Sequence, residues 1–427
     1  MNTPPADSAQ RKGIFELASL DTRFTAHAAY FAVSFLILFS RRPDAILNPQ
    51  FYAEDGTYWY ADAYHFGLRC LLMPEAGYLH TLPRLVALFT LLFPFAIAPL
   101  IMNLSAIAVQ ILPVNLFLSS RFSTIPLHTR LLGSFLYLVL PNSAEIHGNT
   151  TNIQWHLALL ALLMLLARCE SSRLWQFANY LTLFLVSLDG PMGIFLLPVS
   201  VVLLAKRKDL RSGLSSAILL PGVIVQTCTV FFSQTRHLGS NGASVSRLVS
   251  ILGRQIFLGP LLGTRSLIAF IRHGGPPFVL EAIATAIGVA VLLYALRYGP
   301  LELKLFISFA AILFAACLAR PLAADPGEQW ELMMGAGHFT RYYFFPMLAF
   351  LAALIWLVRP QQGRGVRYAA LAILLLLPVG IFRDWYYPPF ADLDFPAFAE
   401  AFKQSTPGTK CTILLNPPGW EMQLTKH

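Results

Sequence analysis

Two adjacent carboxylates, Glu54 and Asp55, sit in the run Pro49-Gln50-Phe51-Tyr52-Ala53-Glu54-Asp55-Gly56-Thr57-Tyr58-Trp59-Tyr60. An acidic pair among aromatics at the edge of an apolar run is costly unless it is paired or used. Ala-Glu-Asp-Gly reads as a compact acidic turn. A carboxylate there can serve as general base toward a hydroxyl or an amine. Tyr58 and Trp59 follow directly and are candidates for holding a sugar or an acceptor. The same stretch also fits a solvated acidic loop followed by an interfacial aromatic belt.

Three further polar groups stand out. The first runs through Asn142, Glu145, His147, Asn149, Asn152, Gln154, Trp155 and His156 and opens into an apolar stretch. Asn152 and His156 are one helical turn apart and face the same way. Asn149, Asn152 and His156 could grip sugar hydroxyls; Asn149 or Thr150 could equally cap the following helix. The second is Ser187-Leu188-Asp189-Gly190-Pro191, a tight turn in which Asp189 either contacts substrate or caps the next helix, with Pro191 suited to its first turn. The third gathers Glu328, Glu331, His338, Arg341, Tyr342 and Tyr343. Arg341 and His338, with Arg320, supply the positive charge a lipid-linked phosphate requires. An arginine at a span end also snorkels to headgroups without further role.

These groups have to be positioned by membrane-spanning helices. The chain has 427 residues, 56% hydrophobic and 12% charged, with 33 Phe and 7 Trp. That composition predicts an all-α polytopic membrane protein. The net charge of +9 falls in short clusters between apolar runs, a pattern that topology explains without a nucleic-acid partner. Met1 to Asp21 is polar, and the apolar run after it is long and has no small-residue cleavage site, so the first span is expected to remain as an anchor.

Apolar runs at 24–40, 151–168, 174–189, 190–205, 214–232, 278–296, 303–319, 341–358 and 366–382 are candidate spans, and 81–119 has the length for two, broken at Phe93-Pro94-Phe95. The basic clusters Arg168/Arg173, Lys206–Arg211, Arg297/Lys304 and Arg359–Arg367 then share one side, the cytoplasmic side by the positive-inside trend. The opposite side carries 41–80, Asp189-Gly190-Pro191, 233–277, 320–340 and the tail from Arg383. The count is about 11 crossings. Either 81–119 crosses twice with 131–141 re-entrant, the drawing favoured by the shortness of 131–141, or 131–141 crosses and 81–119 crosses once. The favoured drawing sets Arg121 and Arg130 apart from the other basic clusters.

The expected layout is a membrane unit over 1–382, with the first outer loop at 41–80, and a small segment over 383–427. In that tail, Thr412–Leu415, Asn416-Pro417-Pro418-Gly419 and Trp420–Leu424 read as strand, turn and strand. Five Cys are scattered without metal spacing; Cys70 and Cys411 fall on the same side, which leaves a disulfide between them open. There is no Walker loop, dinucleotide fingerprint or zinc spacing in the sequence.

Taken together, an acidic pair (Glu54, Asp55) in a first outer loop with juxtamembrane helices, about a dozen spans and a small outer tail resemble the GT-C superfamily of polytopic glycosyltransferases. The resemblance implies an inverting transferase in a membrane, here a bacterial inner membrane with its site facing the periplasm or cell exterior. It implies a sugar donor carried on polyprenyl phosphate and a glycan, lipid or protein acceptor, with Asp55 or Glu54 as the catalytic carboxylate. A metal is not required, because arginine can stabilise a phosphate leaving group; two close carboxylates would permit a divalent ion. Two other readings remain open. A transporter or flippase predicts mid-span charges and two related halves. An O-antigen-type polymerase or ligase predicts a large outer loop, for which 233–277 is the nearest candidate.

Overall fold

A computed structural model describes residues 7–168, 172–232, 240–274, 277–321, 327–337 and 339–427, with side chains from Phe24 onward. Among the described residues, eight helices are long and apolar enough to cross a membrane: Phe24–Arg41, Phe95–Leu118, Leu210–Phe232, Val245–Leu262, Phe278–Tyr298, Leu301–Ala319, Thr340–Leu357 and Arg364–Arg383. These eight do not by themselves confirm the expected count of about 11. Apolar runs that looked sufficient form helices of 14, 15 and 16 residues at Ile153–Leu166, Arg173–Ser187 and Met192–Arg207. At 1.5 Å per residue these fall short of a ~30 Å hydrocarbon layer. Conversely, Val245–Leu262 was expected in a loop and is continuous helix, π-helical over Ile251–Leu258.

The hub is Thr340–Leu357, 83% of it buried inside the protein. Its aromatic residues Tyr343, Phe344, Phe345 and Phe350 are fully enclosed by the surrounding helices. A second core lies at one end of the bundle. There Phe51, Trp59, Tyr60, Ala87 and Met102 pack with Phe395, Phe402, Ile413, Leu415, Met422 and Leu424 from the tail. The tail's strands β1 (Lys410–Leu415) and β2 (Trp420–Thr425) form the expected antiparallel hairpin, in register from Lys410 opposite Thr425 to Leu415 opposite Trp420. Alternation puts Ile413, Leu415, Met422 and Leu424 on the buried face, so the hairpin folds against the first loop as one body with it.

The favoured path through 81–150 is corrected. Arg121 donates from Nε to Arg168 O (3.1 Å) and from Nη1 to Asn179 Oδ1 (3.0 Å), so it lies at the same end as the other basic clusters. Thr81–Thr90 ends before Pro94, and Ala98–Leu118 completes a single net passage to that end. Leu127–Leu138 then returns; Arg41 caps it by donating to Leu138 O (2.6 Å) and Leu140 O (3.3 Å). The Cys70–Cys411 disulfide is absent: both are free thiols. Cys411 is held in β1 opposite Leu424, while Cys70 is buried in the Gly67–Leu72 turn.

Candidate active site

The acidic turn hangs from the tail. Asn416 N donates to Phe51 O (3.2 Å), and Ala53 N donates to Asn416 O. This places Ala53 at φ 43°, the left-handed region that a side chain with Cβ enters at a cost of about 1–2 kcal/mol. The turn continues into a π-helical segment, Asp55–Tyr60. Gly56 packs closely on the hairpin: a Cβ there would come within 2.7 Å of Leu415 Cδ1, so the Leu415 side chain would have to shift.

The two carboxylates part company at this point. Asp55 is 0% exposed and accepts four hydrogen bonds from the 142–152 loop. Oδ1 accepts from Thr150 Oγ1 (2.6 Å), Thr151 N (2.6 Å) and Thr151 Oγ1 (2.8 Å), and Oδ2 accepts from Thr150 N (3.1 Å). Burial pushes this carboxyl up to about 6 against the downward pull of those four donors. Three of the four donors converge on Oδ1, and Oδ2 accepts from Thr150 N alone. Glu54 is only partly buried. Burial raises its carboxyl as well; the Arg341 guanidinium pulls it down and Glu145 pushes it up. Glu54 is therefore within electrostatic reach of a residue on the central helix.

Arg341 is fixed by its neighbours. Its guanidinium forms an ion pair with Glu145, its backbone N–H donates to Glu145 Oε2 (3.2 Å), and its charge lies 4.7 Å from the Tyr342 ring centre and 5.6 Å from that of Phe339. The pair keeps some contact with solvent, at 27% and 14% side-chain exposure. The Tyr52 hydroxyl is raised chiefly by burial, then by Glu145 and Glu54, so it belongs to the same pocket of charge. Glu75 is raised in the same way, with Glu54, Arg84 and Asp62 among its neighbours.

The remaining predicted residues are placed as follows. Asn149 accepts from Asn152 N (3.0 Å) and donates to Glu145 O (2.8 Å); Asn152 Nδ2 donates to Glu145 O as well (3.0 Å). His156 Nε2 meets Ile146 O (2.8 Å) and Nδ1 meets Tyr137 Oη (2.8 Å). These three side chains are buried and shape the loop that presents Glu145 and Thr150–Thr151. Trp59 is buried too, donating to Thr151 Oγ1 (3.3 Å) and packing on His80 and Arg84. Arg84 is tied to Asp62 at 2.7 Å. Asp189 accepts from Leu82 N (3.2 Å) through Oδ1, while Oδ2 is buried without a partner. Tyr58 is partly exposed, with Glu75, Glu54 and Asp62 acting on its hydroxyl. Arg320 is exposed at the end of Leu301–Ala319. His338 lies outside the described residues.

Sequence reasoning missed Thr150 and Thr151 as the clasp of Asp55, and Glu145 as the partner of Arg341. The only sequence signal was that all three lie in the polar run before Ile153. Among the described residues, no group of three His, Cys, Asp or Glu side chains could hold a metal ion.

No protein-family model matches the chain, and no curated protein matches it. Crystal structures of the oligosaccharyltransferase of Archaeoglobus fulgidus are similar to it. The form tethered with an acceptor peptide containing the NVT sequon has TM-score 0.45 at 13% identity, over 89% of this chain and 57% of that one. The apo form has TM-score 0.44 at 14% identity, over 89% and 58%. The complex with Zn and sulfate has TM-score 0.43 at 12% identity, over 89% and 56%. The chain thus spans a little over half the length of these proteins. A likeness at this level gives no residue of this chain a role.

Proposed function

We propose that the chain is a membrane glycosyltransferase that moves a sugar from a polyprenyl-phosphate carrier to an acceptor hydroxyl or amine on the extracytoplasmic face. The reading is supported by Glu54, in the first loop, lying within electrostatic reach of Arg341 on the central helix, whose ion pair with Glu145 keeps some contact with solvent.

In this reading Glu54 is the base and Asp55 is the fixture behind it. The acceptor oxygen or nitrogen attacks the anomeric carbon, and Glu54 takes its proton. The bond between that carbon and the phosphate oxygen breaks, and polyprenyl phosphate leaves with the electron pair. Arg341 faces the charge that develops on the phosphate, where a fixed cation lowers the barrier without reorganisation. Attack opposite the leaving group inverts the anomeric carbon. A Glu raised by burial is a stronger base near neutral pH than an exposed one. Glu145 holds the guanidinium in place until the donor phosphate shares it, and Tyr58 and Tyr52 offer aromatic faces beside the sugar.

The test uses the full chain in proteoliposomes with a panel of polyprenyl-phosphate-linked hexoses and pentoses and envelope-derived acceptors. The expected result is release of polyprenyl phosphate together with a product of inverted anomeric configuration. Passage of intact donor across the bilayer without bond cleavage would overturn the reading in favour of a transporter.

A further inference from the structure

A cavity of about 680 Å³ opens at the end of the bundle opposite the acidic turn. Its walls are apolar, built from Val114, Leu136, Leu159, Leu162, Leu348 and Leu351. Its lining also includes five arginines, Arg121, Arg168, Arg207, Arg211 and Arg359, against two acids, Asp209 and Glu302, an excess of three positive charges. The arginines are held in place. Arg207 donates to Leu165 O (2.9 Å) and Leu166 O (3.3 Å), and Arg211 to Ala167 O (2.9 Å) and Met164 O (2.6 Å), so both cap the end of Ile153–Leu166. Two lining groups have no protein partner although buried: Ser134 Oγ and Arg359 Nε. Such groups cost free energy until something bonds them.

A volume inside the usual range for small-molecule sites (~300–1,000 Å³), apolar walls and a net-positive rim define an amphiphile with one buried chain and an anionic head. The basic clusters put this end on the cytoplasmic side. Anionic glycerophospholipid is the abundant amphiphile of that charge there, and basic pockets between spans on that side bind such head groups. We propose that this cavity is a binding site for one anionic phospholipid of the inner leaflet, with an acyl chain between Leu159 and Leu348 and its phosphate between Arg168 and Arg359. The site is independent of the transfer chemistry assigned to the opposite end.

The experiment reconstitutes the full chain in vesicles of equal parts phosphatidylglycerol and phosphatidylcholine of different masses, extracts it gently and weighs the retained lipid by native mass spectrometry. One phosphatidylglycerol per protein is expected, preferred about tenfold over phosphatidylcholine, or about 1.4 kcal/mol. The Arg168→Gln/Arg359→Gln double variant should lose that preference. Asp209→Asn, which removes an opposing charge while keeping an acceptor for Ser212 N, should strengthen it. Ala352→Trp, which fills the lined space, should lower retention of both lipids. Equal retention of the two lipids by the unaltered protein would overturn the proposal. So would a preference untouched by both charge changes, or displacement of phosphatidylglycerol by added polyprenyl phosphate.

Discussion

Replacing each member of the acidic pair by its neutral isostere tests the proposed division between a fixture, Asp55, and a base, Glu54. In Asp55→Asn the three donors at Oδ1 keep their acceptor, but the new amide group turns an N–H toward Thr150 N, 3.1 Å from the old Oδ2. One hydrogen bond to a charged acceptor is lost, worth about 1.5–3 kcal/mol, and the buried Thr150 amide is stranded at about 1–3 kcal/mol more. Against this, the site holds the carboxyl up to about 6 from 3.8. Removing the charge therefore returns about 3 kcal/mol at 1.36 kcal/mol per unit. The net is a destabilisation of about 0–3 kcal/mol, with turnover following the folded fraction. Glu54→Gln is different. The site raises this carboxyl chiefly through burial, so a neutral amide leaves the fold at least as stable, while the base is gone. General-base removal costs roughly 10²–10⁴ in rate, or about 3–5 kcal/mol. Thermal unfolding and release of polyprenyl phosphate are read from the same detergent-purified sample. A Glu54→Gln protein that keeps more than about a tenth of kcat refutes the assignment. An Asp55→Asn protein that is inactive at unchanged Tm moves the base to Asp55.

Four other outcomes are expected. In the proposed mechanism Glu54 acts as the carboxylate and burial raises it, so kcat/KM should fall as pH drops through a value above the ordinary glutamate range, and Glu54→Gln should flatten that limb. The Asp55 carboxyl binds its proton more tightly when folded, so its contribution to stability is complete below 3.8 and lost as pH rises through about 6; Tm measured across that window should fall, and Asp55→Asn should reduce the slope. Arg341→Gln leaves the partly buried Glu145 without its cation, at a cost of about 1–3 kcal/mol after allowing for exposure, and should raise the KM for donor more than Arg341→Lys does. Gly253→Ala drives a Cβ into Glu281 O, a backbone atom that cannot step aside, and should lower apparent stability by about 1–3 kcal/mol in thermal melts.

The helical membrane class was legible because apolar length is written locally, and so was the tail hairpin, whose alternation and Asn-Pro-Pro-Gly turn are contained in 16 residues. Span ends were not. The sequence reading ran 174–189 and 190–205 up to the turn, whereas the helices stop at Ser187 and start at Met192 because Asp189 and Gly190 bond back to Leu82 and Leu79 from another loop. The path of 127–138 was misjudged for a similar reason: where it ends is fixed by Arg41, 86 residues earlier than Leu127 in the chain. Within the site, the chemistry of Glu54 and Asp55 looked interchangeable. What distinguishes them is a partner about 95 residues away, and nothing in an Ala-Glu-Asp-Gly tetrad specifies which carboxylate that partner takes.

Several joints that set the site's geometry share one design. A buried carboxylate or amide collects backbone N–H groups from a segment far away in sequence. Asp55 collects Thr150 and Thr151; Asp384 collects Asn142 N (2.9 Å), Thr264 N (2.6 Å) and Arg265 N (3.1 Å); Asn416 takes Ala391 N (2.8 Å) and gives to Gln50 Oε1 (3.2 Å) and Ala391 O (3.0 Å). Apolar packing among short, loosely matched helices would allow small slides. A carboxylate with three or four directed acceptor bonds does not, because a shift of an ångström loses several bonds together. The tail is then more than a cover. Through Asn416 it holds Ala53 in the left-handed region, directly before the partly buried Glu54 and the buried Asp55. Loss of the Asn416 contacts would release the strain at Ala53 and free the turn that carries both carboxylates, so in the proposed mechanism the choice of base depends on a residue that need touch neither donor nor acceptor.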